Sequence, residues 1–223
     1  MFKYEKRLQY PVNIKKKDLR MAKYLVTQYG GPNGELGAAL RYLNQRYTMP
    51  DSKGKALLTD IGTEELGHIE MISTMIYQLL KDATMEELRE AGLDSHYAEH
   101  NKAIFPTDAN GVPFTGAYFA TTGDPLADLA EDMAAEQKAR ATYENLIDLT
   151  NDPAVRGPLI WLRQREIVHY ARFKELFEYY QKNLKNGKID NNNMMGQIAD
   201  NNLLGMTDFF NNNMYDSNPF MRG

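Results

Sequence analysis

Two pairs of glutamate and histidine dominate the chemistry that this chain of 223 residues could perform. The first pair, Glu65 and His68, lies within Thr63-Glu64-Glu65-Leu66-Gly67-His68, and the second, Glu166 and His169, follows about a hundred residues later. Helical residues three apart project from the same face, so each carboxylate and imidazole can bind one cation together. The spacing therefore predicts a metal site that draws its ligands from two helices.

Amphipathic helices are needed to position these pairs. The spacing of apolar residues predicts helical segments that begin near Asp18, Glu35, Lys53 and Asp124, with a short one at 85–93. A last helical segment follows the break at Asn151-Asp152-Pro153. The third of these segments carries the first pair and the last carries the second. A Gly-Gly-Pro-Asn-Gly stretch at 30–34 separates the first two segments and leaves Glu35 in a first helical turn, where the helix dipole favours a carboxylate.

The apolar seams of these helices contain polar residues at core positions. Glu65 and His68 fall between Ile61 and Ile72 on one seam, and Glu166 and His169 interrupt the seam of the last helix in the same way. Spacing alone also permits Glu64 beside His68, but the phase set by Ile61 and Ile72 favours Glu65.

Two further helices each bring one isolated acid, so that six polar residues are directed to one interior: Glu35, Glu65, His68, Glu136, Glu166 and His169. One glutamate on each of two helices and a Glu-x-x-His on each of two others is the ligand plan of dinuclear carboxylate proteins. Burying four acids costs several kcal/mol per ion, which two divalent cations offset. Tyr42, two turns after Glu35, is placed to hydrogen-bond a ligand carboxylate.

The domain organisation follows from one long irregular stretch. Residues 94–123 are rich in proline, glycine and threonine, and the resulting connection of about forty residues is too long for a bundle turn. Ferritin-like bundles contain one such crossover. We predict an all-α fold, a ferritin-like four-helix bundle at 17–186 with one long crossover, after an N-terminal arm at 1–16. An extended Asn-rich C-terminal tail at 187–223 is expected to pack on a neighbouring subunit.

Composition excludes several functional classes. The chain has a net charge of −4 and no extended basic cluster, so we expect no nucleic-acid partner. It has no cysteine, which excludes thiolate metal sites and cysteine nucleophiles. Neither a secretion signal nor a stretch long enough to span a membrane is recognisable, so we expect no membrane partner and a cytoplasmic location.

Four motifs resemble those of the manganese catalase family. They are Gly30-Gly31-Pro32-Asn33-Gly34-Glu35-Leu36, Thr63-Glu64-Glu65-Leu66-Gly67-His68, Glu136 with Ala139-Arg140, and Arg165-Glu166-Ile167-Val168-His169. The resemblance covers roughly residues 17 to 182 in matching order and spacing. It is greatest to the compact members found in bacterial spore coats, which makes the spore coat a second expected location.

The resemblance implies two manganese ions per subunit, held by Glu35, Glu65, His68, Glu136 and His169, with Glu65 as the bridging carboxylate. It implies that Glu166 is the acid/base that carries peroxide protons and that Tyr42 supports a ligand. The implied reaction converts two hydrogen peroxides to oxygen and two waters while the metal pair cycles between Mn(II)2 and Mn(III)2. A homo-oligomer, expected to be a hexamer, is implied as well, with other spore-coat proteins as further partners.

The sequence departs from the family at one feature. Active members carry a basic residue near the metals at positions where this chain has Ala135 and Tyr143, and Arg140 or Lys138 are the candidates to replace it. Two alternatives therefore stay open. Carboxylate and imidazole ligands also suit iron, which would make the protein a di-iron ferritin-like oxidase or peroxidase. A low-activity structural spore-coat protein that keeps the metal-binding fold is the other.

Overall fold

The computed structural model describes residues 4–185, which form seven α-helices and, in that part of the chain, no strand beyond an isolated bridge between Thr107 and Pro113. The helices are α1 (Leu19–Gly30), α2 (Glu35–Gln45), α3 (Ser52–Leu79), α4 (Met85–Glu90), α5 (Asp94–His100), α6 (Pro125–Asp148) and α7 (Pro153–Lys185). The predicted all-α class is confirmed. The predicted tail at 187–223 lies outside the described residues.

Two helical hairpins make the bundle. The start of α1 lies at the end of α3, where the backbone N–H of Asp18 donates to the carbonyl of Leu79, so α1 and α2 together run antiparallel to α3. The second hairpin is α6 with α7, closed where the Arg156 guanidinium donates to the carbonyl of Ile147 over 2.6 Å. Because α3 and α6 run in the same direction, the chain must return along the bundle between them.

That return is the long crossover predicted at this point of the chain. It contains α4 as predicted, and also α5, at residues that the sequence analysis assigned to an irregular stretch. Tertiary packing accounts for this helix. Leu93, immediately before α5, and Tyr97, within it, pack on the small apolar cluster formed by Leu19, Ala83 and Leu88. A seven-residue helix carries too few turns for its periodicity to be recognised.

Aspartate caps fix where the bundle helices begin. Asp18 accepts from the backbone N–H of Met21, and Asp51 accepts from that of Gly54. Asp124 accepts from two backbone N–H groups of α6, which has Pro125 in its first turn. Each cap satisfies N–H groups that have no partner within the helix, and this sets the register of the residues that follow.

The break between α1 and α2 depends on close backbone contacts. A Cβ atom on Gly30 would lie 2.4 Å from the backbone of Pro106 in the crossover, and one on Gly34 would lie 2.8 Å from the carbonyl oxygen of Thr27. Only glycine allows the chain to approach itself this closely. The tight turn delivers Glu35 to the first turn of α2, facing α3 and α6.

The apolar core is divided into two halves by a polar layer. One half contains the C-terminal parts of α3 and α6 and the start of α7, with Ile72 and Leu159 fully buried. The other contains the start of α3 and the end of α7, with Ile61 and Phe173 fully buried. The Glu and His residues singled out from the sequence lie between these halves, where their side chains are buried.

Residues 4–18 have no regular secondary structure and run along α3. Tyr4 donates to Glu70, and Gln78 donates to the carbonyl of Val12 and accepts from the N–H of Ile14. No helix within residues 4–185 combines the length and apolar character that crossing a bilayer requires.

Candidate metal centre

Six buried side chains from four helices meet in the polar layer and form two overlapping groups. Glu35, Glu65, His68 and Glu166 each offer one ligand atom within 4.8 Å of the others. Glu65, Glu136 and His169 do the same, so Glu65 belongs to both groups. All seven residues predicted for the site, these six together with Tyr42, are brought to one place.

The two groups are nearly equivalent around Glu65. The Nδ1 atom of His68 lies 2.6 Å from Oε2 of Glu65 and 3.5 Å from Oε2 of Glu35. The Nδ1 atom of His169 lies 2.8 Å from Oε1 of Glu65 and 3.5 Å from Oε2 of Glu136. Each oxygen of Glu65 therefore faces one imidazole, and each Nδ1 atom has a second glutamate at 3.5 Å, which is the arrangement expected of a bridging carboxylate between two cations.

Two tyrosines support the two groups in the same way. The Tyr42 hydroxyl on α2 donates to Glu136 on α6, and the Tyr143 hydroxyl on α6 donates to Glu35 on α2. Each tyrosine follows the glutamate of its own helix by two turns. Tyr143, noted in the sequence as standing where active members can carry a basic residue, is fully buried and faces the site.

Burial and neighbouring charges shift the pKa values of three acids of the site, and not all in the same direction. Burial raises the pKa of Glu35 to about 8, with the charge of Glu65 adding to the effect. Burial also raises the pKa of Glu166 well above the ordinary value, reinforced by Glu136 and Glu35. Burial acts in the same direction on Glu65, but the charges of His68 and His169 outweigh it and hold the pKa of Glu65 below its usual range.

Comparisons with known proteins agree with this site. A family profile described as manganese containing catalase matches residues 1–191. Protein CotJC of Bacillus subtilis is 58% identical over 189 residues, which is 85% of this chain and 100% of that protein. The chain belongs to the manganese catalase family.

Two further relatives extend the family match to enzymes and to a solved structure. A manganese catalase of Bacillus subtilis is 36% identical over 193 residues, covering 79% of this chain and 71% of that enzyme. The crystal structure of KatB, a manganese catalase from Anabaena, is 34% identical with a TM-score of 0.75, covering 82% of each chain. The ferritin-like bundle predicted from the sequence is the fold of this family.

The site fits the manganese that the family implies. Several of its buried oxygen and nitrogen atoms have no hydrogen-bond partner within residues 4–185: Glu65 Oε1, His68 Nε2, Glu136 Oε2, Glu166 Oε1 and both ring nitrogens of His169. Buried polar atoms without partners are costly, and four buried carboxylates beside neutral imidazoles carry four negative charges when all four are deprotonated. Two divalent cations balance that charge, and oxygen and imidazole donors suit manganese.

A narrow cavity leads from the surface to this centre. Its lining passes from the loop between α1 and α2 to the acids of the site: Pro32, Asn33, Gly34, Glu35, Ala38, Arg41, Tyr42, Ala135, Glu136, Ala139 and Glu166. The small side chains of Ala38, Ala135 and Ala139 leave room beside the acids. Glu166, which lies in the first of the two groups, therefore borders this cavity.

Arg41 is the only basic residue among the residues described as lining this cavity. Its buried guanidinium donates to the carbonyl of Tyr118 over 2.9 Å, while its Nε has no partner within residues 4–185. Arg140 and Lys138, the two basic residues suggested by the sequence, do not line the cavity. Arg140 bonds Gln137 and Glu144, and Lys138 pairs with Glu131 at the surface. The sequence analysis missed Arg41, because burial of an arginine leaves no signal in helical spacing.

Glu64, which spacing left as an alternative to Glu65, lies on the other side of the imidazoles. Its Oε1 is 3.6 Å from Nε2 of His68 and its Oε2 is 3.2 Å from Nε2 of His169. Arg165 holds the same carboxylate through two contacts, at 2.6 Å to Oε1 and 3.2 Å to Oε2. The charges of His169 and His68 outweigh burial and lower the pKa of Glu64. Glu64 therefore contacts both imidazoles and lies outside both candidate ligand groups.

Proposed function

We propose that this protein is a catalase that converts two molecules of hydrogen peroxide to one oxygen and two waters at a dimanganese centre. The proposed ligands are Glu35, Glu65, His68, Glu136 and His169. The observation that carries the proposal is the sharing of Glu65 by two equivalent carboxylate and imidazole groups. When bound there, a pair of manganese ions supplies the two-electron redox chemistry that each half of the reaction needs.

We assign proton transfer to Glu166. Burial and neighbouring acids raise the pKa of its carboxyl well above the ordinary value, which favours a carboxyl that can hold a proton near neutral pH. Its Oε1 has no hydrogen-bond partner within residues 4–185 and lies 4.0 Å from Nδ1 of His68. Because Glu166 also lines the cavity, its carboxyl can give its proton to the peroxide oxygen that leaves as water and take a proton back from the other oxygen.

Tyr42 is assigned a supporting function. Its hydroxyl donates to Glu136, so it restricts rotation of that carboxylate, which would hold one of the metal ions. Arg41, at the cavity wall, supplies positive charge near the acids. This charge favours the partly deprotonated peroxide that forms when Glu166 takes its proton.

Elemental analysis of protein expressed with manganese, together with oxygen evolution from peroxide, tests the proposal. We expect two manganese per chain and peroxide-dependent oxygen release. Glu166→Gln should retain the metal and lose turnover, whereas His68→Ala should lose the metal. Wild-type protein that retains manganese but releases no oxygen would contradict the catalase assignment.

A structural function in the spore coat is the second candidate. It is favoured by Ala135, which stands where active members carry a basic residue, and by the match to CotJC over that protein's whole length. Under this alternative a Glu65→Ala, His68→Ala double variant would assemble into the coat like wild type. A di-iron oxidase, the third possibility, predicts iron in the purified protein and Fe(II) oxidation.

Assembly and location are part of the proposal. The family resemblance favours a homo-oligomer, and we propose a hexamer located in the cytoplasm or the spore coat, where other coat proteins are possible partners. Light scattering of the purified protein tests the hexamer. Fractionation of spores with an antibody against the chain tests the location.

A further inference from the structure

Two consecutive carboxylates hold the two imidazoles of the site from opposite sides. The rings of His68 and His169 are stacked with centroids 5.6 Å apart and an interplanar angle of 19°. Glu65 faces the Nδ1 atom of both rings, at 2.6 and 2.8 Å. Glu64 faces the Nε2 atom of both rings, at 3.6 and 3.2 Å.

We propose that Glu64, held by Arg165, is a positioning residue that serves both metal ions at once. The Nε2 atoms of both rings have no hydrogen-bond partner within residues 4–185, and both face this carboxylate at 3.6 and 3.2 Å. Glu64 is therefore the acceptor available for the Nε2 proton of each imidazole when its Nδ1 lone pair, on the Glu65 side, binds a metal ion. One side chain then sets the tautomer and the ring orientation of both histidine ligands. This inference rests on the proposed metal centre and adds a residue that is not itself a ligand.

The surroundings of Glu64 suit a fixed, charged acceptor. Arg165 binds both of its oxygens, a two-point contact that restricts rotation of the carboxylate. The side chain of Glu64 is 17% exposed, compared with 0% for both histidines, so part of its charge remains solvated while it contacts the buried rings. The edge of Trp161 packs on His68 with centroids 5.7 Å apart and limits movement of that ring.

Both oxygens of Glu64 are used, and this makes a specific substitution informative. In Glu64→Gln the side chain keeps its length but has one acceptor oxygen and one NH2 donor. The donor cannot accept an Nε2 proton, so at least one imidazole loses its acceptor. The chain offers a matched control one turn earlier, where Asp60 and Arg172 form a second pair between α3 and α7 at 2.9 Å. The polar contacts of Asp60 do not include either imidazole within residues 4–185.

The experiment is a titration of chelator-stripped protein with Mn2+, measuring stoichiometry and affinity in competition with a chelator. We expect wild type and Asp60→Asn to bind two ions alike, and Glu64→Gln to bind at least one ion about 10- to 100-fold more weakly. Equal binding by Glu64→Gln and Asp60→Asn, whether unchanged or equally weakened, overturns the inference. If Glu64→Gln does not fold, Arg165→Met decides in the same titration against Arg172→Met. Weaker binding in Arg165→Met alone supports the inference, and equal binding in both overturns it.

The titration separates this inference from the proposed function. Wild-type protein that binds no manganese defeats the dimanganese centre regardless of Glu64. Wild-type protein that binds two ions, with Glu64→Gln unchanged, leaves the centre in place and removes only the positioning by Glu64.

Discussion

Tyr143 donates the hydrogen of its hydroxyl to the carboxylate of Glu35, across the interface between α6 and α2. The family resemblance implies a basic residue of active members at this position, where this chain has a neutral donor. The contact is the counterpart of the one between Tyr42 and Glu136. Each glutamate proposed to bind a single metal is thus supported by a tyrosine from the other helix.

Replacement of Tyr143 by Phe should weaken metal binding while the ring remains packed. The substitution removes one hydrogen bond to a buried carboxylate, which is worth about 1.5–3 kcal/mol, and should reduce Mn2+ affinity by about tenfold or more. Chelator competition measures the affinity. Tyr180→Phe is the matched control, because that buried tyrosine donates to Asp51 at the far end of the bundle. If the two variants bind Mn2+ equally well, Tyr143 does not support the centre.

Removal of the positive charge at the cavity should lower turnover more than metal content. Arg41→Met keeps an unbranched side chain of similar length but leaves the lining described here without a cation. We expect kcat for peroxide to fall about tenfold or more, since a preorganised positive group no longer stabilises developing negative charge. Oxygen evolution and metal analysis of the same samples provide the measurement. Arg46→Met, a change outside the cavity lining, should behave like wild type, and equal turnover in both variants contradicts the prediction.

The turn before α2 should tolerate no side chain at Gly30. In Gly30→Ala the added Cβ would meet backbone atoms of Pro106 and Thr107 at 2.4–2.6 Å, so the crossover must shift. We expect a loss of about 1–3 kcal/mol in the free energy of unfolding, measured by denaturant titration. Gly37→Ala, inside α2, is the control: its nearest neighbour would be Phe114 at 3.8 Å, and the better helix propensity of alanine should leave stability unchanged or higher. A smaller loss of stability in Gly30→Ala than in the control would show that the crossover moves away from the added Cβ at no cost, which contradicts the prediction.

Stability of chelator-stripped protein should decrease as the pH rises above neutrality. Burial raises the pKa of Glu35 to about 8, and neighbouring acids outweigh burial to raise the pKa of His68 and His169 above the ordinary value. A group with a raised pKa stabilises the fold fully below its unfolded pKa, and this contribution disappears as the pH passes the folded pKa. The free energy of unfolding should therefore fall between about pH 6.5 and about pH 9.

Manganese should reverse this trend, because metal ions require deprotonated ligands and bind more tightly as the pH rises. The acids with lowered pKa values, Glu64 and Glu65, lose their contribution only in acid and do not alter the sign in this range. Denaturant titrations of stripped and loaded protein at both pH values provide the measurement. A stripped protein that gains stability towards pH 9 would contradict the assigned pKa directions.

The sequence by itself determined which residues lie on the inward faces of the helices. Periodicity of three and four places Glu65 with His68 and Glu166 with His169 on inward faces, because a helix turns by a fixed angle per residue. The glycine-rich stretch and the proline and aspartate caps likewise set where the helices begin, since capping and backbone approach are local effects. These features were sufficient to predict the all-α class, the long crossover and the six Glu and His residues at the centre.

Only the tertiary structure decided what each side chain contacts across helices. Glu64 and Glu65 lie on opposite sides of the two imidazoles because of the way α3 packs on α7. The hydrogen bonds from Tyr42 to Glu136 and from Tyr143 to Glu35 depend on how α2 packs on α6. Arg41 reaches the cavity because the crossover carbonyl of Tyr118 holds it. Such contacts join residues distant in the chain, and helical spacing fixes the face that a residue occupies but not its partner on another helix.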